Sequence, residues 1–319
     1  LLIRLVCLYL FRNVVNYDLQ SYLQVGELTL KRINIYPDIA NLHHPYLPFF
    51  LYVEAAAVIQ ISLIRLIGPI GLIKIILILF DLGILYLVYC LSRRNLKTAF
   101  LYAINPVTIL ITTLHGQFDV IPVFFILLTI YLLNKKQELL AVLSFSFAIL
   151  TKTWPILLII PILKNIKNKK LTILIVFFPV LFTTLYCIFF KTNPIDISKT
   201  LISYQGLWGL WGPWALLGKA RILWQKLSTL IFLISFFGYS YFHKEKNLIK
   251  NILNLLFFFF VFTTNFSIQY FVWIVPFLIL IKPKKYFQLL ILITIYLLSF
   301  YLFSLRLLSW LLRSVLPKG

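Results

Sequence analysis

Asp18 is the residue whose type and place most suggest chemistry. It stands at the start of a helical stretch, with Tyr22 one turn later on the same face. A carboxylate there could take a proton from an attacking hydroxyl, as a general base does. An acid in a first helical turn also interacts with the helix dipole with no chemistry implied. His43 and His44 precede "PYLP". Such a pair could bind phosphate or a metal, but no third ligand stands at usable spacing, and a surface turn suits the prolines around it. His115 and Asp119 lie four residues apart around Gly116. They can meet on one helical face and hold hydroxyls, unless Gly116 breaks the helix first, or Asp119 caps the helix that follows. Lys152 lies between two short apolar pieces and cannot be fully solvated there. It needs an anionic partner, either one of the acids or a lipid phosphate.

The elements that must position these groups are apolar. The 319 residues are 61% hydrophobic and 12% charged, with a mean hydropathy of +0.96. A soluble chain of this size lacks the interior to hide so much apolar surface. Soluble enzyme, secreted scaffold, disordered chain and nucleic-acid-binding domain are excluded, which leaves an all-α, polytopic transmembrane bundle. The net charge of +21 would suggest nucleic acid in a soluble domain. Here the basic residues come in short clusters between apolar runs, the pattern that orients membrane helices. Cys7, Cys90 and Cys187 lie in apolar stretches without metal-ligand spacing and read as small core residues. No metal is expected.

About eleven spans are expected, near 1–11, 70–92, 97–113, 119–134, 138–150, 155–163, 171–190, 222–242, 251–264, 269–281 and 286–304. The first is too short to cross, and the chain holds no Met, so the N-terminus reads as truncated within that helix. The run 45–64 decides the topology. Taken as interfacial or re-entrant, it leaves five clusters with fifteen basic residues on one side: Arg93 to Lys97, Lys135-Lys136, Lys164 to Lys170, Lys244 to Lys250 and Lys282 to Lys285. That side is then cytoplasmic. Asp18, Glu27, Asp38, Glu54, Asp119 and Asp196 fall on the outer face. The expected organisation is one integral-membrane domain over 1–319. It has a first outer loop at 12–69 with interfacial helices, a bundle at 70–304 and a tail at 305–319. The expected location is the inner (plasma) membrane, with the site facing outside.

This topology gathers the polar signatures outside: the 12–69 loop, "TTLHGQFDV", "LTKTWP", "YQGLWGLWGPW" and "TTNFSIQYFVW". Asp81, in mid-span, is expected to pair inside the bundle. Belt anchoring explains most of the Trp-rich loop 204–214, with sugar stacking as an addition. Asn265-Phe266-Ser267 matches a glycosylation acceptor pattern, but it lies too close to the membrane to carry weight.

In this order the segments "IYPD…HPYLPFFLY", "FDLGILYLVYCLSRR", "NPVTILITTLHGQFDVIPVFFILLTIYLL", "AILTKTWPILLIIPIL" and "SIQYFVWIVPFLIL" resemble the GT-C superfamily of lipid-linked sugar transferases. The likeness is to a bacterial branch similar to GPI mannosyltransferase II and to polyprenyl-phosphate mannosyltransferases, and it runs from Asn16 to Leu280. It implies transfer of a sugar, with mannose favoured, from a polyprenyl-phosphate carrier to a glycan, lipid or protein hydroxyl. Transfer would invert the anomeric carbon and need no further cofactor. It also implies Asp18 as general base, and Lys152 with His43 or His44 at the donor phosphate. Tyr22, His115, Gln117, Asp119, Trp154, Gln269 and Tyr270 would contact substrate, and membrane lipids would surround the chain. A transporter or flippase of lipid-linked sugars is the alternative, though such proteins keep their ionisable residues near the midplane.

Overall fold

The computed structural model describes residues 1–12, 14–59, 68–204 and 211–304, of which 218–226 and 304 are described by backbone alone. These residues form helices and no strand. Helix α1 (Leu2–Phe11) is followed by α2 (Tyr17–Leu30), the single turn α3 (Ala40–His43) and α4 (Phe49–Ile59). Asn16 starts α2, its Oδ1 accepting from the Leu19 N–H at 2.9 Å. The Nδ2 of the same side chain donates to the His115 carbonyl at 2.7 Å, so the cap also docks the helix. Helices α2 and α4 pack so closely that a Cβ on Gly26 would stand 2.7 Å from the Glu54 carbonyl oxygen.

Then come α5 (Gly68–Leu91), α6 (Leu96–Ala103) and α7 (Pro106–Ile109). Asn105 caps α7 with Pro106 at its first turn, and the chain bends by 44° at this break. Helix α7 runs on as a π-helical turn, Leu110–His115, where Thr112 and Thr113 donate back to the carbonyls of Thr108 and Ile109. Helices α8 (Val120–Asn134) and α9 (Glu138–Thr151) follow, then a 3₁₀ turn at Trp154–Leu158 leading into α10 (Ile159–Asn165). The remainder is α11 (Leu174–Phe190), α12 (Pro194–Ser203), α13 (Arg221–Phe242), α14 (Leu248–Phe262), α15 (Phe271–Ile281) and α16 (Tyr286–Ser304).

Helix α15 is central: every residue from Phe271 to Ile279 is buried, against α5 to α8 and α14. By contrast α11 exposes Val176, Phe177, Val180, Ile188 and Phe189, and α16 exposes Leu292, Ile295 and Leu298. Apolar faces of this extent are compatible with a membrane protein and exceed what a soluble surface carries. Among the described residues three helices are long and apolar enough to cross a membrane: Gly68–Leu91, Lys169–Phe190 and Tyr286–Phe303. The bent pair Leu96–Ala103 and Pro106–His115 makes a fourth if it is one span. All eleven apolar runs are helical. Most are 10 to 17 residues long, because Pro, Gly and polar turns end them early.

Asp81 does pair inside the bundle. Its carboxylate meets the Arg4 guanidinium and accepts from Tyr102 Oη at 2.6 Å, while Arg4 also donates to the Ala103 carbonyl at 2.7 Å. This fully buried cluster ties α1, α5 and α6 together, and losing one ionic partner costs about 3–5 kcal/mol. The cysteines are free thiols. Of the run 45–64, residues 49–59 are helical and 60–64 lie outside the described residues, as do the tail 305–319 and Trp208. Trp211 and Trp214 donate to the Phe260 and Phe262 carbonyls, so this part of the aromatic loop packs on α14.

Candidate active site

Asp18 and His115 meet where α2 docks on the π-helical turn. Asp18 stands in the first turn of α2, favoured there by the helix dipole. His115 Nε2 lies 3.1 Å from Asp18 Oδ2, and His115 Nδ1 lies 2.9 Å from Tyr301 Oη on α16. Nε2–H donates to the carboxylate, and the phenol accepts from the protonated ring or donates to the neutral one. The carboxylate is the open end of this relay, with its side chain 39% exposed against 11% for the imidazole. Burial pushes the Asp18 carboxyl up. The His115 hydrogen bond and charge, aided by Gln117 and Lys152, outweigh that and hold it below its ordinary value. Asp18 is therefore ionised at neutral pH and free to accept a proton.

His115 and Asp119 do not meet, although their spacing allows it. Gly116 takes a left-handed φ of +75° and ends the π-helical turn. His115 then faces Asp18, and Asp119 faces the other way, into α9 and α15. Asp119 occupies the N-cap of α8 but makes no side-chain cap. Instead Oδ2 accepts from Lys152 Nζ at 2.7 Å and Oδ1 from Trp273 Nε1 at 2.7 Å, all buried. Lys152 thus has one of the acids as a partner. Its ammonium also lies 4.6 Å from the Phe118 ring centre and 5.0 Å from that of Tyr46.

Tyr22 and Gln117 form the floor between these two clusters. Tyr22 Oη donates to Gln117 Oε1 at 2.9 Å, and both side chains are buried. Burial first, then the Asp18 charge, pushes the Tyr22 phenol well up, so it acts as a neutral hydrogen-bonding group. The two histidines separate. His43 borders the site: its Nδ1 is 2.7 Å from Ser21 Oγ and its ring stacks on Tyr17 at 5.5 Å. His44 is fully buried, 3.4 Å from Glu54 in an ion contact rather than a hydrogen bond, with Nε2 3.3 Å from the Leu47 carbonyl. Burial pushes the Glu54 carboxyl up despite His44. Of the two, His43 is the one with side-chain contacts to the helix that carries Asp18.

Trp154 stacks on Trp273 at 3.9 Å, and Tyr270 stacks on the same indole at 4.1 Å. Gln269 is buried and accepts from Ser267 Oγ. All five outer segments are thus linked by direct contacts, the Trp-rich loop through Trp211, whose ring stacks on Phe266 at 3.8 Å. That loop also supplies Tyr204, whose phenol burial pushes up, with Lys152 pulling it down and Asp18 and Asp119 raising it. Tyr301, Trp273, Tyr204 and Asn16 were not singled out from sequence. Only Asn16 carried a usable signal, an Asn directly before a helix start. Among the described residues no three His, Cys, Asp or Glu side chains are placed to hold a metal ion.

The fold and site define an all-helical protein with membrane-compatible helices and a carboxylate–imidazole–phenol relay where α2, the π-helical turn and α16 meet. No family model, curated protein or solved structure matches the chain.

Proposed function

We propose that this protein is an integral-membrane glycosyltransferase of the GT-C type. It moves a sugar, mannose in the favoured case, from polyprenyl phosphate to an acceptor hydroxyl. The observation that carries this reading is the Asp18–His115–Tyr301 relay: an ionised, partly open carboxylate held in place by two buried groups. The acceptor oxygen attacks the anomeric carbon and forms the new C–O bond. The carbon–phosphate oxygen bond breaks, polyprenyl phosphate leaves with the electron pair, and the acceptor proton passes to Asp18. Attack opposite the leaving group inverts the anomeric carbon. Lys152 and His43 supply positive charge or hydrogen bonds to the departing phosphate. The neutral partners Tyr22, Gln117 and Tyr270 hold hydroxyls.

On this reading the ten apolar helices after α1 cross the bilayer, the shorter ones shielded by neighbours. The fifteen clustered cations lie in the cytoplasm, and the site opens on the outer face of the plasma membrane.

The test is transfer from a labelled polyprenyl-phosphate sugar to an acceptor mixture by the purified chain. Asp18→Asn should lower the rate about 10²- to 10⁴-fold, the usual worth of a general base. Transfer by that variant at the wild-type rate would remove the assignment. Carrier movement across a liposome without sugar transfer would favour the transporter.

A further inference from the structure

Two of the basic clusters share a cavity. Arg93 and Arg94, just beyond α5, and Lys135, just beyond α8, line one hollow of about 590 Å³. The phenols of Tyr86, Tyr89 and Tyr131 line it too, and no acid does. Glu138, the acid closest to Lys135 in sequence, is taken up elsewhere: its two oxygens accept from the Lys167 and Asn168 N–H groups at 3.0 and 2.9 Å.

The cations are not spent on the helix end either. The last carbonyls of α5 accept from backbone N–H groups, Val88 from Ser92 at 3.0 Å, Tyr89 from Arg94 at 2.8 Å and Cys90 from Arg93 at 3.2 Å. Among the described residues neither guanidinium makes a hydrogen bond or an ion pair, and the Lys135 ammonium lies 5.7 Å from the centre of the Tyr131 ring. Three like charges around one hollow repel one another, and an anion seated among them relieves that repulsion.

The helix that leads to the cavity narrows the choice of anion. Leu79, Leu82, Tyr86 and Cys90 recur at helical spacing on one face of α5. Leu79 is 62% and Tyr86 63% exposed, and the other two are half-buried. At 1.5 Å per residue this stripe is about 16 Å long, close to one leaflet's share of a roughly 30 Å hydrocarbon core. Helix α5 is itself among those long and apolar enough to cross. A free phosphate would meet the cations and leave the stripe bare. A zwitterionic headgroup would bring a further cation against Arg93 and Arg94. A lipid of net negative charge fits both parts: its phosphate oxygens accept from guanidinium and phenol, and an acyl chain covers the stripe.

We infer that this cavity binds the headgroup of an anionic phospholipid from the leaflet at that end of α5. None of the residues of the Asp18 relay lines it. The site is therefore independent of the sugar-transfer reading, and it needs no particular orientation of the chain.

The experiment titrates the purified full chain in detergent with dioleoylphosphatidylglycerol, dioleoylphosphatidylcholine and, separately, inorganic phosphate. Native mass spectrometry counts bound lipid, and thermal unfolding follows stability. Wild type should take up phosphatidylglycerol saturably and about tenfold more tightly than phosphatidylcholine. Arg93→Gln with Arg94→Gln should weaken that binding about twentyfold, and Lys135→Gln, on the other helix end, about fivefold. Lys284→Gln with Lys285→Gln removes the same charge from another exposed cluster and should leave it unchanged. Equal affinity for the two lipids, equal loss in the two double variants, or undiminished binding in Lys135→Gln would overturn the site. Inorganic phosphate that stabilises the chain as much as phosphatidylglycerol does would overturn the lipid as its ligand.

Discussion

His115 and Asp18 are 97 residues apart in the chain, yet their side chains meet at 3.1 Å, with Tyr301 closing the far side of the imidazole at 2.9 Å. The carboxylate is oriented and kept ionised by a ring that is itself held. This arrangement predicts graded losses. His115→Leu should lower transfer more than Tyr301→Phe, since the first removes the carboxylate's partner and the second only what steadies it. We expect about 10²-fold and roughly threefold to tenfold, within the range for positioning a catalytic base. Initial rates at saturating donor decide it, and a Tyr301→Phe loss as large as that of Asp18→Asn would count against the relay.

The same contact sets a pH dependence. The Asp18 carboxyl titrates lower in the folded chain than its ordinary 3.8. Its contribution to stability is therefore fully present above about 3.8, the unfolded value, and disappears as the pH falls through the lower folded value. Melting temperature should drop as the pH falls below about 3.8 in the wild type and drop less in Asp18→Asn. Parallel curves for the two proteins would show that the interaction with His115 is not worth what the geometry implies.

Lys152 and Asp119 are buried together, with side chains 7% and 0% exposed. Removing the ammonium alone strands a carboxylate whose other partner is the neutral indole of Trp273. Lys152→Met should cost about 3–5 kcal/mol, and Lys152→Met with Asp119→Leu should recover much of it. Thermal unfolding of the two variants in detergent reads this directly. Equal destabilisation would mean the pair is not coupled.

Gly116 admits no side chain. Its φ is +75°, and a Cβ would lie 2.8 Å from Leu19 Cδ2 in α2. Gly116→Ala should cost about 1–3 kcal/mol through backbone strain alone. It should also lower transfer, since pushing Leu19 moves the helix turn that carries Asp18. An unchanged melting temperature together with an unchanged rate would show that the turn adapts freely.

Sidedness is tested by single cysteines in a background with Cys7, Cys90 and Cys187 replaced by Ala. Positions 38 and 168 are both exposed and belong to opposite faces in the proposed topology. A membrane-impermeant maleimide should label Asp38→Cys in intact cells, and Asn168→Cys only after permeabilisation. Labelling of both from one side would reverse the map of the basic clusters.

Much of this protein is legible in its sequence, for a physical reason. Runs of Leu, Ile and Phe have few structures open to them other than apolar helices, and all eleven such runs are helical. Cations gather at loops because a buried unpaired charge is expensive, so the clusters mark the ends of these helices. Asp81 could be read as a pairing residue from its setting alone, since no other state of a mid-helix carboxylate is affordable.

Pairings were a different matter. His115 and Asp119 share a helical spacing and part company at Gly116. His43 and His44 are neighbours, but one borders the site and the other is sealed against Glu54. Tyr301 looked like one aromatic among many in α16. The sequence by itself determined which segments are helical and which residue types are present to do chemistry, because both depend on local hydrophobicity and side-chain identity. Only the tertiary structure decided that Asp18 meets His115 and that Lys152 meets Asp119. Such contacts depend on how α2, α8, α9 and α15 pack, and helix packing is set by shape complementarity between distant segments that no local period encodes.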